Sequence, residues 1–177
     1  MNEPVRQPDS PASTAMVELS HNSIDSQAVL ESVRHPHAGA VVLFLGTVRE
    51  LTGNVQTTEL VYEAYEAMAL HELSELRSQA IERWGLVEAC VVHRIGTLRP
   101  CDVAVAVAVS SGHRREAFEA GQWLMDTLKV QVPIWKKEVY SDGQSEWVHP
   151  GMTVVRADRS GSEDIASPSE HVRGEEQ

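Results

Sequence analysis

A chain of 177 residues that is 42% hydrophobic can bury one good core, so a single domain is expected. The formal net charge of −11 argues against a general nucleic-acid or anionic-membrane surface, and any anionic ligand must therefore meet a local basic patch. No apolar run approaches roughly 18 residues and no basic stretch leading into an apolar one opens the chain, which together predict a cytoplasmic protein without a membrane span.

Residues 1–14 and 157–177 are rich in Pro, Ser and charge and are expected to be disordered tails around one domain spanning 15–156. Within it, 16–20 reads as a short strand and 25–34 as a helix ended by His35-Pro36-His37, since a proline disfavours helix before it. That histidine pair has no third metal ligand at a useful spacing. The apolar run 39–48 predicts a strand buried on both faces. It leads through a turn-rich stretch, 51–54, to the alternating strand 57–65, and the two strands read as a hairpin with a long loop. Ala69, Leu73, Leu76, Ala80 and Trp84 share one face of a helix over 66–84, with Gly85 as its stop.

A second apolar strand covers 87–95, a turn 96–100, and a central strand 102–109 in which Val103, Val105, Val107 and Val109 face one way. Its alanines face the other way and leave room for a helix to approach. Ser110 or Ser111 is placed to cap the next helix, which runs to about Lys129 with Ala117, Gly121, Leu124, Met125 and Leu128 inward. An extended segment 130–138, a turn at 141–143 and a last strand at 146–148 complete an α+β fold with a mainly antiparallel sheet and packed helices. Cys90 and Cys101 are expected to be small buried hydrophobes.

The chemistry-bearing residues are cations at element ends. The chain has only three lysines, Lys129, Lys136 and Lys137, all within nine positions, against twelve arginines. Lysine differs from arginine in its compact charge, its mobile proton and its nucleophilic amine, so this grouping suggests either amine chemistry or simple charge complementation at a helix end. Arg49 closes the first apolar strand, and His113 with Arg114 opens the last helix, where free amides already favour an anion. No nucleotide loop, serine-nucleophile elbow or paired-cysteine motif is present. From residues alone, a non-enzymatic dimeric module that docks an anionic peptide tail or a phosphorylated ligand stays open beside an enzyme.

The segments GAVVLFLGTVRE (39–50), LVYEAYEAMA (60–69), HRIGTLRPCDVAVAVAVSSGHRREAFEA (93–120) and MDTLKVQVPIWKKE (125–138) resemble the catalytic large subunit of molybdopterin synthase, the MoaE family. The resemblance covers about residues 15–152 and implies a hammerhead-type α/β fold. It implies transfer of sulfur from the C-terminal thiocarboxylate of a small ubiquitin-like subunit to cyclic pyranopterin monophosphate, with no cofactor or metal of its own. It further implies a homodimer at the centre of a heterotetramer.

By the same resemblance Lys129 and Lys136 are the catalytic pocket lysines. Thr47, Val48, Arg49, His113, Arg114, Lys137 and Glu138 join them in binding substrate. Lys129 is expected to stabilise the thiocarboxylate or the oxyanion formed from it, and Lys136 to orient the phosphate-bearing substrate or move protons. The sequence departs from the family pattern at Cys101, where glycine is usual, and beyond Met152, so Arg156 and Arg159 are only candidates for an arginine that crosses a dimer. His113 and Lys129 are 16 positions apart, about 24 Å along one helix. A pocket using both sets is therefore expected to draw them from two protomers.

Overall fold

The computed structural model describes residues 16–52 and 55–148. The remainder of the expected domain, both expected tails, and Arg156 and Arg159 lie outside the described residues.

Two sheets and three helices make up an α+β fold, as expected. In chain order the elements are β1 (Val17–Ser20), α1 (Ser26–Ser32), β2 (Ala40–Thr47), β3 (Leu51–Thr52), β4 (Val55–Ala64) and α2 (Glu66–Trp84). Then follow β5 (Glu88–Arg94), β6 (Gly96–Leu98), β7 (Val103–Ser111), α3 (Arg114–Gln131), β8 (Ile134–Tyr140) and β9 (Ser145–Val148). The first sheet runs β1-β5-β7-β2, antiparallel except for the parallel β1–β5 pair. The second runs β3-β4-β8-β9, and β6 also pairs with β4.

The valine and alanine faces of β7 explain the layering. Val105, Val107 and Val109 pack with Leu73 and Leu76 of α2 and Ala117 and Leu124 of α3. On the opposite face Ala106 and Ala108 meet Val29 and Val33 at α1, whose short stub can come close because alanine is small. Asp25 caps α1 by accepting from the amides of Gln27 and Ala28, both at 3.0 Å. Gly85 takes the left-handed conformation, φ 59°, that ends α2.

Four expectations are corrected. Among the described residues β2 is an edge strand whose only ladder partner is β7, so Val41, Phe44 and Leu45 stay more than a third exposed instead of buried on both faces. β2 and β4 do not form a hairpin: they belong to different sheets, and the stretch read as a loop holds β3, which pairs back onto the start of β4. Neither serine caps α3, because Ser110 and Ser111 are claimed by the β2–β7 ladder and His113 takes the cap position without a side-chain bond. Cys101 is exposed, with Cys90 alone buried, and its φ of 75° belongs to the region glycine prefers. The Cys101 position is thus a tight turn.

No helix among the described residues is long and apolar enough to cross a membrane.

Candidate functional site

Val132 precedes Pro133, and pre-proline sterics hold it extended at φ −78°, ψ 127°. That stops α3 at Gln131, two residues after Lys129, and turns the chain into β8, which carries Lys136. The two lysines therefore flank one helix-to-strand junction. Lys129 is exposed in the last helical turn, while the Lys136 side chain is 32% exposed.

Alternation along β8 then sorts the neighbours of Lys136. Ile134, Lys136, Glu138 and Tyr140 share the inward face, and Lys137 falls on the other, with its amine 5.9 Å from the Trp147 ring centre. The Lys136 amine donates to Glu138 Oε1 at 2.6 Å, and the Tyr140 hydroxyl donates to Glu138 Oε2 at 3.1 Å. Glu138 is only 3% exposed, so it serves as the buried counter-charge of Lys136 instead of a surface that substrate could reach. Lys137, expected beside Lys136, is on the far side of the sheet.

Cross-strand register adds Tyr62, opposite Lys136, and Leu60, opposite Glu138. Burial, and secondarily the Glu138 carboxylate, push the Tyr62 hydroxyl up to about 12, so Tyr62 stays neutral. The Tyr62 ring meets His93 of β5 edge-on at 5.1 Å. His93 is buried, and burial pushes it down to about 4, partly opposed by its contact of 2.9 Å with the Arg94 carbonyl. At neutral pH that contact requires the Nδ1–H tautomer, with Nδ1 donating. A neutral, packed floor thus lies beneath the Lys136–Glu138 pair.

The end of β2 is fixed to the same floor. Val48 is 4% exposed and packs with Leu60, Leu98 and Ala104 against Tyr62. Its amide donates to the Asp102 carbonyl at 3.0 Å and its carbonyl accepts from Cys101 at 2.9 Å. Its side chain points inward, where it anchors the strand end that carries exposed Thr47 and Arg49. The ladder shift between Gly46 and Thr47 sets the direction in which these residues leave the sheet.

His113 and Arg114 are exposed at the opposite end of α3 from Lys129, separated by nearly the whole 18-residue helix. One chain does not bring the two ends together. Among the described residues Arg49, Arg114 and Lys129 belong to a group of six Arg and Lys side chains without an ion-pair partner, the others being Arg83, Arg99 and Lys137, in a chain of charge −11. Such cations suit anionic ligands. Among the described residues no group of three or more His, Cys, Asp or Glu is arranged to hold a metal.

Sequence reading passed over Tyr62, His93 and Tyr140. Period-two alternation from Lys136 would have found Tyr140, and a lone histidine inside the apolar run of β5 marked His93; the β4–β8 pairing that places Tyr62 left no local signal.

Residues 19–131 match the family model described as MoaE protein. The chain belongs to the MoaE family. It is 37% identical over 154 residues to the molybdopterin synthase catalytic subunit of Bacillus subtilis, covering 87% of this chain and 97% of that one. To the subunit of the same name from Halalkalibacterium halodurans it is 47% identical over 122 residues, 69% of this chain and 78% of that one. The crystal structure of molybdopterin synthase from Staphylococcus aureus superposes with a TM-score of 0.73 at 40% identity, covering 76% of this chain and 98% of that one.

Proposed function

We propose that this chain is the catalytic subunit of a molybdopterin synthase, a sulfurtransferase. It moves sulfur from the C-terminal thiocarboxylate of a small ubiquitin-like subunit to cyclic pyranopterin monophosphate and so builds the dithiolene. The observation that carries this reading is the helix-to-strand junction that sets Lys129 and Lys136 on either side of one turn, next to family-matched motifs. Two anions, a phosphate and a thiocarboxylate, have to meet during the reaction, and cations without internal partners offset their repulsion.

Lys129, exposed and unpaired, is free to stabilise the thiocarboxylate or the oxyanion that develops on its carbonyl. Lys136 is held on one side by Glu138 and offers its remaining N–H bonds to the substrate phosphate or to a migrating proton. Arg49 and Thr47 supply further contacts from the end of β2.

His113 and Arg114 serve the site of a second protomer in this reading. The half-exposed apolar edge of β2, with Val41, Phe44 and Leu45, supports the homodimer this requires, at the centre of a heterotetramer with two small subunits. A cytoplasmic setting goes with two cysteines that form no disulfide.

The test is reconstitution: the purified chain, a thiocarboxylated small subunit and the cyclic pterin should yield dithiolene product. Lys129→Ala and Lys136→Ala should each lose most of the single-turnover rate, and the Arg replacements should not restore it, because a fork-shaped guanidinium does not reproduce the geometry of an ammonium. Wild-type turnover in both alanine variants would end the proposal.

A further inference from the structure

Lys136, Glu138 and Tyr140 stand at successive inward positions of β8, so one pleat aligns an ammonium, a carboxylate and a phenol. The carboxylate is almost wholly buried at 3% exposure, and Tyr140 is buried with it at 4%. A buried carboxylate needs its oxygens satisfied and its plane fixed. Here each oxygen has its own donor: Lys136 on Oε1 at 2.6 Å and the Tyr140 hydroxyl on Oε2 at 3.1 Å. Rotation of the carboxylate away from Lys136 would break the Tyr140 bond, so the phenol holds Oε1 where the amine finds it.

We propose that Tyr140 is a positioning residue, which acts through Glu138 to set the direction and reach of the Lys136 amine. This deepens the proposed function and rests on it for the part Lys136 plays in sulfur transfer. Tyr140 is buried at 4% exposure and bonds to Glu138, so its action on Lys136 runs through that carboxylate. With the hydroxyl removed, the Glu138 side chain gains rotational freedom. Lys136 then spends part of its time turned from the direction in which the substrate arrives, and binding-competent geometry becomes a minority population.

The chain suits a direct spectroscopic test, because three lysines give three side-chain amine signals in a sample labelled with ¹⁵N- and ¹³C-lysine. Single Lys→Arg substitutions assign them. In Tyr140→Phe the Lys136 signal is expected to move while those of Lys129 and Lys137 stay in place. The single-turnover rate of dithiolene formation should fall about tenfold, the scale of one hydrogen bond to a charged group. In a Glu138→Ala background the same Tyr140→Phe change should cost little further rate, since the carboxylate that links the phenol to Lys136 is gone.

An unmoved Lys136 signal in Tyr140→Phe would overturn the proposal, as would rate losses that multiply in the double variant. If Tyr140→Phe fails to fold, fluorotyrosine incorporation alters the donor strength of the hydroxyl with the ring shape kept. It should move the Lys136 signal, and no movement is again a refutation. A wild-type chain that makes no dithiolene would instead sink the functional reading, and the amine signals would still judge the positioning role.

Discussion

Acidification should destabilise this protein through His93, and the size of the effect follows from the structure. His93 is 5% exposed on β5, between β1 and β7, with its ring against Tyr62 and Nδ1 2.9 Å from the Arg94 carbonyl. Its folded value is about 4 against an ordinary 6.5. Between those values the unfolded chain binds the proton and the folded chain does not, so stability falls as the pH drops through that window and is fully present above it.

The difference amounts to about 2 kcal/mol lost between pH 7 and pH 5, and about 3 kcal/mol once the pH is below the folded value. Urea unfolding at pH 7 and pH 5 measures it, with His93→Gln as the reference, because glutamine can donate to the Arg94 carbonyl yet does not titrate. Carboxylates titrate in both proteins, so the contrast isolates the histidine. Wild type should lose about 2 kcal/mol more than the variant over that interval. Equal losses would show that His93 is protonated without penalty, and the packed neutral floor beneath Lys136 would have to be abandoned.

Other substitutions probe other parts of the structure. Cys101→Gly should raise stability by about 1 kcal/mol in urea unfolding, because it relieves a left-handed backbone at an exposed turn. Phe44→Asp, on the exposed edge of β2, should halve the mass seen in sedimentation while changing the stability of each chain little. A mixed dimer of a His113→Ala/Arg114→Ala chain with a Lys129→Ala chain should retain one working site, whereas each parent homodimer retains none. Activity no better than the parents would refute a site shared between protomers.

Elements whose signal is local were legible in the sequence. The Val/Ala alternation of β7 announced both its central place and the helix laid on its alanines. Gly85 marked the end of α2 by backbone chemistry that operates at a single residue. Pairing across long separations was not legible. An apolar run such as 40–47 states that its side chains avoid water, but the cover can come from a strand, a helix or another molecule, so its edge position was missed. The same limit hid the β4–β8 ladder and with it the meeting of Tyr62 with Lys136. At the site, identities were readable and directions were not: Lys136 and Lys137 are adjacent in sequence, yet a strand sends neighbours to opposite faces. Val48 and Glu138, expected among the substrate-binding residues, have buried side chains, which neither position shows in the sequence.

The position of the lysines has a practical side. Reagents that couple to primary amines find, apart from the terminus, only Lys129, Lys136 and Lys137, with Lys129 exposed and the other two partly covered. Biosensor chips, affinity resins and fluorescent dyes attached by such chemistry would fasten to the helix-to-strand turn itself. Loss of binding on a surface prepared in that way would report where the tether sits, and thiol attachment at exposed Cys101 or a tag at a terminus is the safer handle.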